Sequence, residues 1–172
     1  MKTIDEVRWN HWPRSEMVNP NLLKVVEEFS AIHARITSAK HGLKSNEVLE
    51  LVRPGLEQIG FDVETGKKKA EKINVPVLFG LNGQPEKSFE ADAFHRELGI
   101  VLEVEAGRAV VNNQFLKDLF QAIVMHGVDY LIVALRNKYN QDDFLSASAF
   151  LDALYSSNRF NVPLKGVMIL GY

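Results

Sequence analysis

Asp92, Glu103 and Glu105 lie close together in SFEADAFHRELGIVLEVEA, residues 88–106. Side chains alternate along a strand, so Glu103 and Glu105 share a face with Val101, opposite Leu102 and Val104. On the segment before it, Glu90, Asp92 and Phe94 share a face, opposite Ala93 and His95. If 88–97 pairs with 100–106 across Leu98-Gly99, Asp92 comes to lie beside the two glutamates. Three carboxylates on one patch repel one another unless a cation lies between them. Two readings follow: the acidic residues are the wet face of a hairpin, or they hold a divalent ion. The wet face is the ordinary reading of an isolated E-x-E, and the setting weighs against it without excluding it, because the strand is otherwise apolar and runs into a Gly turn and an amphipathic helix.

Composition narrows which ion. With no cysteine in 172 residues, thiolate metal sites, disulfides and cysteine catalysis are excluded. Carboxylates, histidines and carbonyls remain, a donor set that favours Mg²⁺, Mn²⁺ or Ca²⁺. His33, His41 and His126 show no metal-ligand spacing, and His95 alternates away from Asp92. The net charge of -2 does not mark a general nucleic-acid binder. Two basic clusters stand against it: Lys67, Lys68, Lys69 and Lys72, and Arg35, Lys40, His41 and Lys44. Each is either a solvated surface or a local phosphate contact. The first residues lack the apolar core of a signal peptide, and no apolar run approaches a membrane span, so a cytoplasmic protein is expected.

The elements that must position the carboxylates are legible from periodicity. Residues 1–19 have none and are expected to form an arm, with Trp9 and Trp12 covering core. Residues 20–60 carry apolar residues at helical spacing: Leu22, Val25, Val26, Phe29, Ile32 and Ile36, then Val48, Leu49, Leu51, Val52, Leu56 and Ile59. Gly42 separates the two stretches. Ser45 is the expected N-cap of the second, and Pro54-Gly55 predicts a kink or two short helices. Residues 61–172 alternate strands and helices: strands at 61–65, 75–80, 88–97, 100–106, 130–136 and 162–172, with helices at 111–126 and 142–156. Asn82-Gly83 predicts a hairpin turn. Tyr130-Leu131-Ile132-Val133-Ala134-Leu135 is apolar on both sides, as in the middle of a covered sheet. A single α/β domain over 1–172, with a central mixed β-sheet flanked by helices, is expected. On the helix at 111–126, Val111, Phe115, Leu119, Ala122 and Ile123 make the apolar face, with Asn113, Lys117 and Gln121 opposite. Asn112 falls inside the apolar face, as a cap or core amide or as a support for a carboxylate or substrate.

The segment FEADAFHRELGIVLEVEAGRAVVNNQFLKDLFQAIVMHGVDYLIVALR resembles the core of the PD-(D/E)xK nuclease superfamily. Asp92 matches its first Asp and Glu103-Val104-Glu105 its (D/E)xK element, with Glu in place of Lys. That replacement is similar to the BamHI/BglII branch of type II restriction endonucleases. Ala91 stands where many members have Pro. The resemblance spans about residues 45–136 and implies a restriction-endonuclease-like fold. It also implies a metal-dependent DNA endonuclease, acting on DNA as a homodimer with Mg²⁺ (or Mn²⁺). Asp92, Glu103 and the Val104 carbonyl would be the metal ligands, and Glu105 a base or second-metal ligand. Many members add a Glu from the helix before the first core strand; Glu47 and Glu50 are the candidates, Glu50 the chosen one. Lys67, Lys68 and Lys69, Asn112 and the arm with Trp9 and Trp12 are the expected substrate contacts. Glu105 also keeps open a catalytically inactive descendant serving as a DNA-binding or protein-interaction module. A small-molecule enzyme has little support, because no glycine-rich phosphate loop is present.

Overall fold

The computed structural model describes residues 5–66, 68–107, 109–111, 113–139, 141–157 and 159–172. Lys67 and Asn112, both expected to contact substrate, lie outside these residues. At the centre are β6 (Ile100–Glu105) and β7 (Tyr130–Leu135), each following from its unbroken apolar run. They pair in parallel, Glu103 opposite Val133 and Glu105 opposite Leu135. β8 (Gly166–Gly171) continues the parallel set beyond β7. β5 (Ala93–His95) pairs antiparallel to β6, and β2 (Asp62–Val63) antiparallel to β5. The mixed sheet therefore runs β1-β8-β7-β6-β5-β2, where β1 is Arg8–Trp12.

β1 corrects one expectation. The N-terminal arm is a strand, antiparallel to β8 over five residue pairs from Arg8–Gly171 to Trp12–Val167. Its residue pattern lacks strand alternation because each side chain meets a different neighbour. Trp12 is fully buried and its indole N–H donates to Asp152 at 2.8 Å, whereas Trp9 stays exposed.

Alternation along β6 assigns its residues to two apolar layers. Ile100, Leu102 and Val104 face the layer of α1 (Pro20–Ala31) and α3 (Ser45–Gln58). Val101 faces the layer of α4 (Gln114–Val124) and α5 (Asp143–Tyr155). The first helical stretch breaks at Ile32, so that α1 is followed by the single turn α2 (His33–Ile36) rather than running on to Gly42. α3 continues through Pro54-Gly55 without the expected division. Its cap also differs: the Lys44 N–H donates to the Glu47 carboxylate at 2.6 Å, and Ser45 is the first helical residue. Glu47 is therefore occupied in holding the helix end, where a negative charge also suits the macrodipole.

The segment 88–97 is not one strand. β4 (Pro85–Ala91) pairs with β3 (Ile73–Phe79) in a separate two-stranded sheet, turning at Leu81–Gly83 with Asn82 at a φ of 57°. β5 belongs to the main sheet, and Asp92 is the bend residue between the two. The hairpin is held to the end of α4 by the His126 N–H, which donates to the Pro76 carbonyl at 2.8 Å. A cleft therefore opens between the hairpin base, β6 and α4, with Asp92 at its corner.

Candidate active site

The turn between β5 and β6 sets the site's register. Gly99 has a φ of +61°, and a Cβ there would lie 2.6 Å from the Gly127 carbonyl oxygen, so a side chain is excluded on both counts. The resulting ladder pairs Ala93 with Leu102. One step further along that register, Asp92 stands against Glu103. The strand has left the ladder there, and the Asp92 side chain takes over: Oδ2 accepts the Val104 N–H at 2.7 Å. A strand residue's N–H and C=O leave on the same side, so the Val104 carbonyl also points to the Asp92 side. The far end of β6 is fixed by the buried Tyr172, whose hydroxyl donates to the Glu105 carbonyl at 3.2 Å.

Glu103 and Glu105 project from the Val101 face towards α4, and both line the cleft with Asp92. α4 contributes Lys117, Asp118 and Gln121. The sequence expectation set Lys117 and Gln121 on the far side of this helix. They flank its inner stripe, and the open edge of the sheet leaves that flank facing the cleft. Asp118 is the residue that the apolar pattern missed. It lies three positions after Phe115, inside the stripe of Phe115, Leu119 and Ala122, and is 4% exposed. A lone carboxylate at that spacing in an amphipathic face is the signal that would have found it.

The opposite wall belongs to Glu64, Lys72 and Glu90. Lys72 Nζ lies 2.8 Å from Glu64 and 3.4 Å from Glu90, and the Glu64 bond holds the lysine pKa above its ordinary value. Glu64 is buried and also lines the adjoining groove with Asn46, Glu50 and Arg53. Glu50 is exposed in that groove and does not line the cleft, so Glu64 is the carboxylate that enters from this side. It follows β2 rather than sitting on α3, which is why helical spacing did not disclose it. Lys68 and Lys69 are exposed on the loop before β3 and also lie away from the cleft; Lys72 alone of that run with a described position reaches it. His95 packs edge-on to Phe61 at 5.3 Å and Tyr130 packs against the α1/α3 layer, in keeping with structural roles.

Charge dominates the cleft, which is lined by six carboxylates and two lysines. Burial pushes Asp92 up to about 6, against the Val104 hydrogen bond, with Glu64 and Glu105 adding to the rise. Burial pushes Asp118 up to about 7, and neighbouring Glu105 raises it further while Lys117 opposes. Glu103 is driven well above the usual carboxylate range by burial and then by the charges of Asp92 and Asp118. Glu105 is raised by burial, with Lys117 opposing. Among the described residues, no three His, Asp or Glu side chains are gathered in ligating geometry. The donor chemistry nevertheless suits a hard divalent cation, which commonly takes one or two carboxylates and keeps several waters. Asp118, buried beside Glu105, meets it carboxyl to carboxyl in a side-chain hydrogen bond that needs a proton on one of the two, which marks the same shortage of positive charge.

No protein-family model matches the chain, and no curated protein matches it in sequence. Among solved structures it is similar to the restriction endonuclease BglII in its free form. That similarity has a TM-score of 0.50 at 15% sequence identity and covers 96% of this chain and 78% of that one. The six-stranded mixed sheet with helices on both faces is thus a restriction-endonuclease-like fold.

Proposed function

We propose that the chain is a divalent-metal-dependent endonuclease hydrolysing DNA phosphodiester bonds, related to type II restriction enzymes. The observation that carries this reading is the meeting of Asp92 with Glu103 and Glu105 at the broken strand of a restriction-endonuclease-like fold. Asp92, Glu103 and the Val104 carbonyl would hold Mg²⁺ (or Mn²⁺). The bound ion supplies charge neutralisation for the phosphate and activation of the attacking water. Glu105 stands where the related motif has lysine and cannot stabilise negative charge. Its carboxylate accepts a proton from the water or holds a second ion. Lys117, exposed at the cleft mouth, is a cation available to a phosphate oxygen. Lys68 and Lys69 would contact the DNA backbone outside the cleft. A homodimer is the arrangement that brings one such site to each strand.

The test is cleavage of supercoiled plasmid with Mg²⁺ or Mn²⁺ by the native chain, Asp92→Asn and Glu103→Gln. Metal-dependent nicking or linearisation that is lost in both variants supports the reading. Absence of cleavage with either metal favours the second reading, an inactive nuclease-fold module that binds DNA or protein. The observation behind that alternative is the sequence Glu103-Val104-Glu105, which carries no lysine.

A further inference from the structure

The carboxylates of the cleft repel a phosphate backbone, so cations around the cleft must hold a strand that enters it. On the α4 side Lys117 is available for this. On the opposite wall Lys72 is taken up by Glu64 and Glu90. Beyond Glu64, which lines both, the cleft adjoins a groove of about 240 Å³ lined also by Asn46, Glu50, Arg53, Thr65 and Gly66. Arg53 enters this groove from α3 and is half-buried. Its Nη2 donates to the Glu64 carbonyl at 3.1 Å, and the Glu64 N–H donates to the Asp92 carbonyl at 2.8 Å. The backbone of one residue thus ties the guanidinium to the corner of the cleft. Among the described residues Arg53 makes no other side-chain hydrogen bond, and no carboxylate, Glu50 included, lies within 4.0 Å of it. Its Nε is buried without a partner. A cation held in place but not neutralised departs from the rule that charges withdrawn from water are paired.

We propose that Arg53 binds a backbone phosphate beside the scissile one, so that a DNA strand lies across the cleft between Arg53 and Lys117. The inference rests on the nuclease reading for the identity of the strand. A guanidinium presents its donors in a rigid planar fork that matches phosphate oxygens. One arm is fixed on the Glu64 carbonyl, which leaves Nη1 for the phosphate. Asn46 and Thr65 are exposed in the same groove, and among the described residues their side chains make no hydrogen bond. Their amide and hydroxyl supply further donors to the same phosphate. Such a contact sets the place of the strand and reads no base, so it is the same for every sequence.

The experiment follows binding of a fluorescein-labelled random-sequence duplex by anisotropy over a range of salt concentrations, with Ca²⁺ as the divalent ion. The slope of log affinity against log salt changes by about 0.9 for each phosphate contacted. Arg53→Gln keeps a donor for the Glu64 carbonyl and removes the charge, and it should make that slope shallower by about 0.9. Arg53→Lys keeps the charge and should keep the slope. Thermal unfolding establishes that each variant is folded, and Arg53→Met takes the place of Arg53→Gln if the latter is not. A slope unchanged in the folded neutral variant overturns the inference, as does a native chain that binds no duplex. An equal loss in Arg53→Lys assigns Arg53 a structural part and overturns it too. Plasmid cleavage separates this site from the nuclease reading. A chain that cleaves, with the slope unchanged in Arg53→Gln, loses this site alone; an Arg53-dependent slope in a chain that cleaves nothing keeps this site and removes the nuclease.

Discussion

The acidic residues of the cleft impose a pH dependence that belongs to single side chains. Asp118 has a pKa of about 7 in the folded chain against an ordinary value near 4. Between those values the folded state holds a proton that the unfolded state has released. Stability from this group is therefore fully present below about pH 4 and is lost as pH rises through 7. Asp92, at about 6, acts in the same direction. In chelator, Asp118→Asn should be more stable than the native chain at pH 8, by on the order of 3 kcal/mol. The gap should close by pH 4, as read from urea midpoints across the range. A variant less stable than the native chain at pH 8 would mean that the hydrogen bond to Glu105 outweighs the cost of burying the charge.

At the scale of elements, the site depends on a register more than on any one contact. Gly99 allows the sharp return from β5 to β6, and its carbonyl accepts from the N–H groups of Asp129 and Tyr130 at 2.8 and 2.9 Å. Gly99→Ala forces a side chain into a positive φ and against the Gly127 carbonyl. Backbone strain of this kind costs about 1–3 kcal/mol. The substitution should lower the urea midpoint accordingly and weaken metal binding as well, because Asp92 loses its place beside Glu103. A shift in the midpoint with unchanged Mn²⁺ affinity would show that the register survives. The bend at Asp92 matters for a related reason: by leaving the ladder there, the chain frees the side chain to bond Val104 and opens the cleft between two sheets.

For the molecule as a whole, two dependences follow. β1 closes the sheet at its β8 edge, and the buried Trp12 packs in the α4/α5 layer. Trp12→Ala should cost about 3–5 kcal/mol, the usual result of emptying a large buried aromatic site. It also removes the indole donor from Asp152; equilibrium unfolding by tryptophan-independent circular dichroism measures the loss. Divalent metal should act in the opposite direction by binding only the folded chain. At a concentration a hundred times its dissociation constant, each ion adds about 2.7 kcal/mol. The rise in melting temperature with Mn²⁺ should shrink in Asp92→Asn, and an unchanged rise would move the ion elsewhere. Sedimentation equilibrium tests the proposed homodimer directly. Among the described residues no helix is long and apolar enough to cross a membrane.

The sequence by itself determined the strands and helices whose apolar patterns are strong, and the parity of the motif. Two-residue alternation is a local property, so it set Glu103 and Glu105 on the Val101 face, and the structure agrees. The absence of cysteine and the density of carboxylates likewise narrowed the proposed ion to a hard divalent cation. Only the tertiary structure decided what surrounds those residues. β1 is a strand because β8 offers it an edge, not because its own residues alternate. Glu64 enters the cleft and Glu50 does not, because β2 pairs with β5 and the Glu64 N–H that follows it donates to the Asp92 carbonyl at 2.8 Å. Asp118 reads as a break in an apolar stripe until α4 is laid against the end of β6. Its burial and its pairing with Glu105 are properties of that packing, which joins separate elements of the chain.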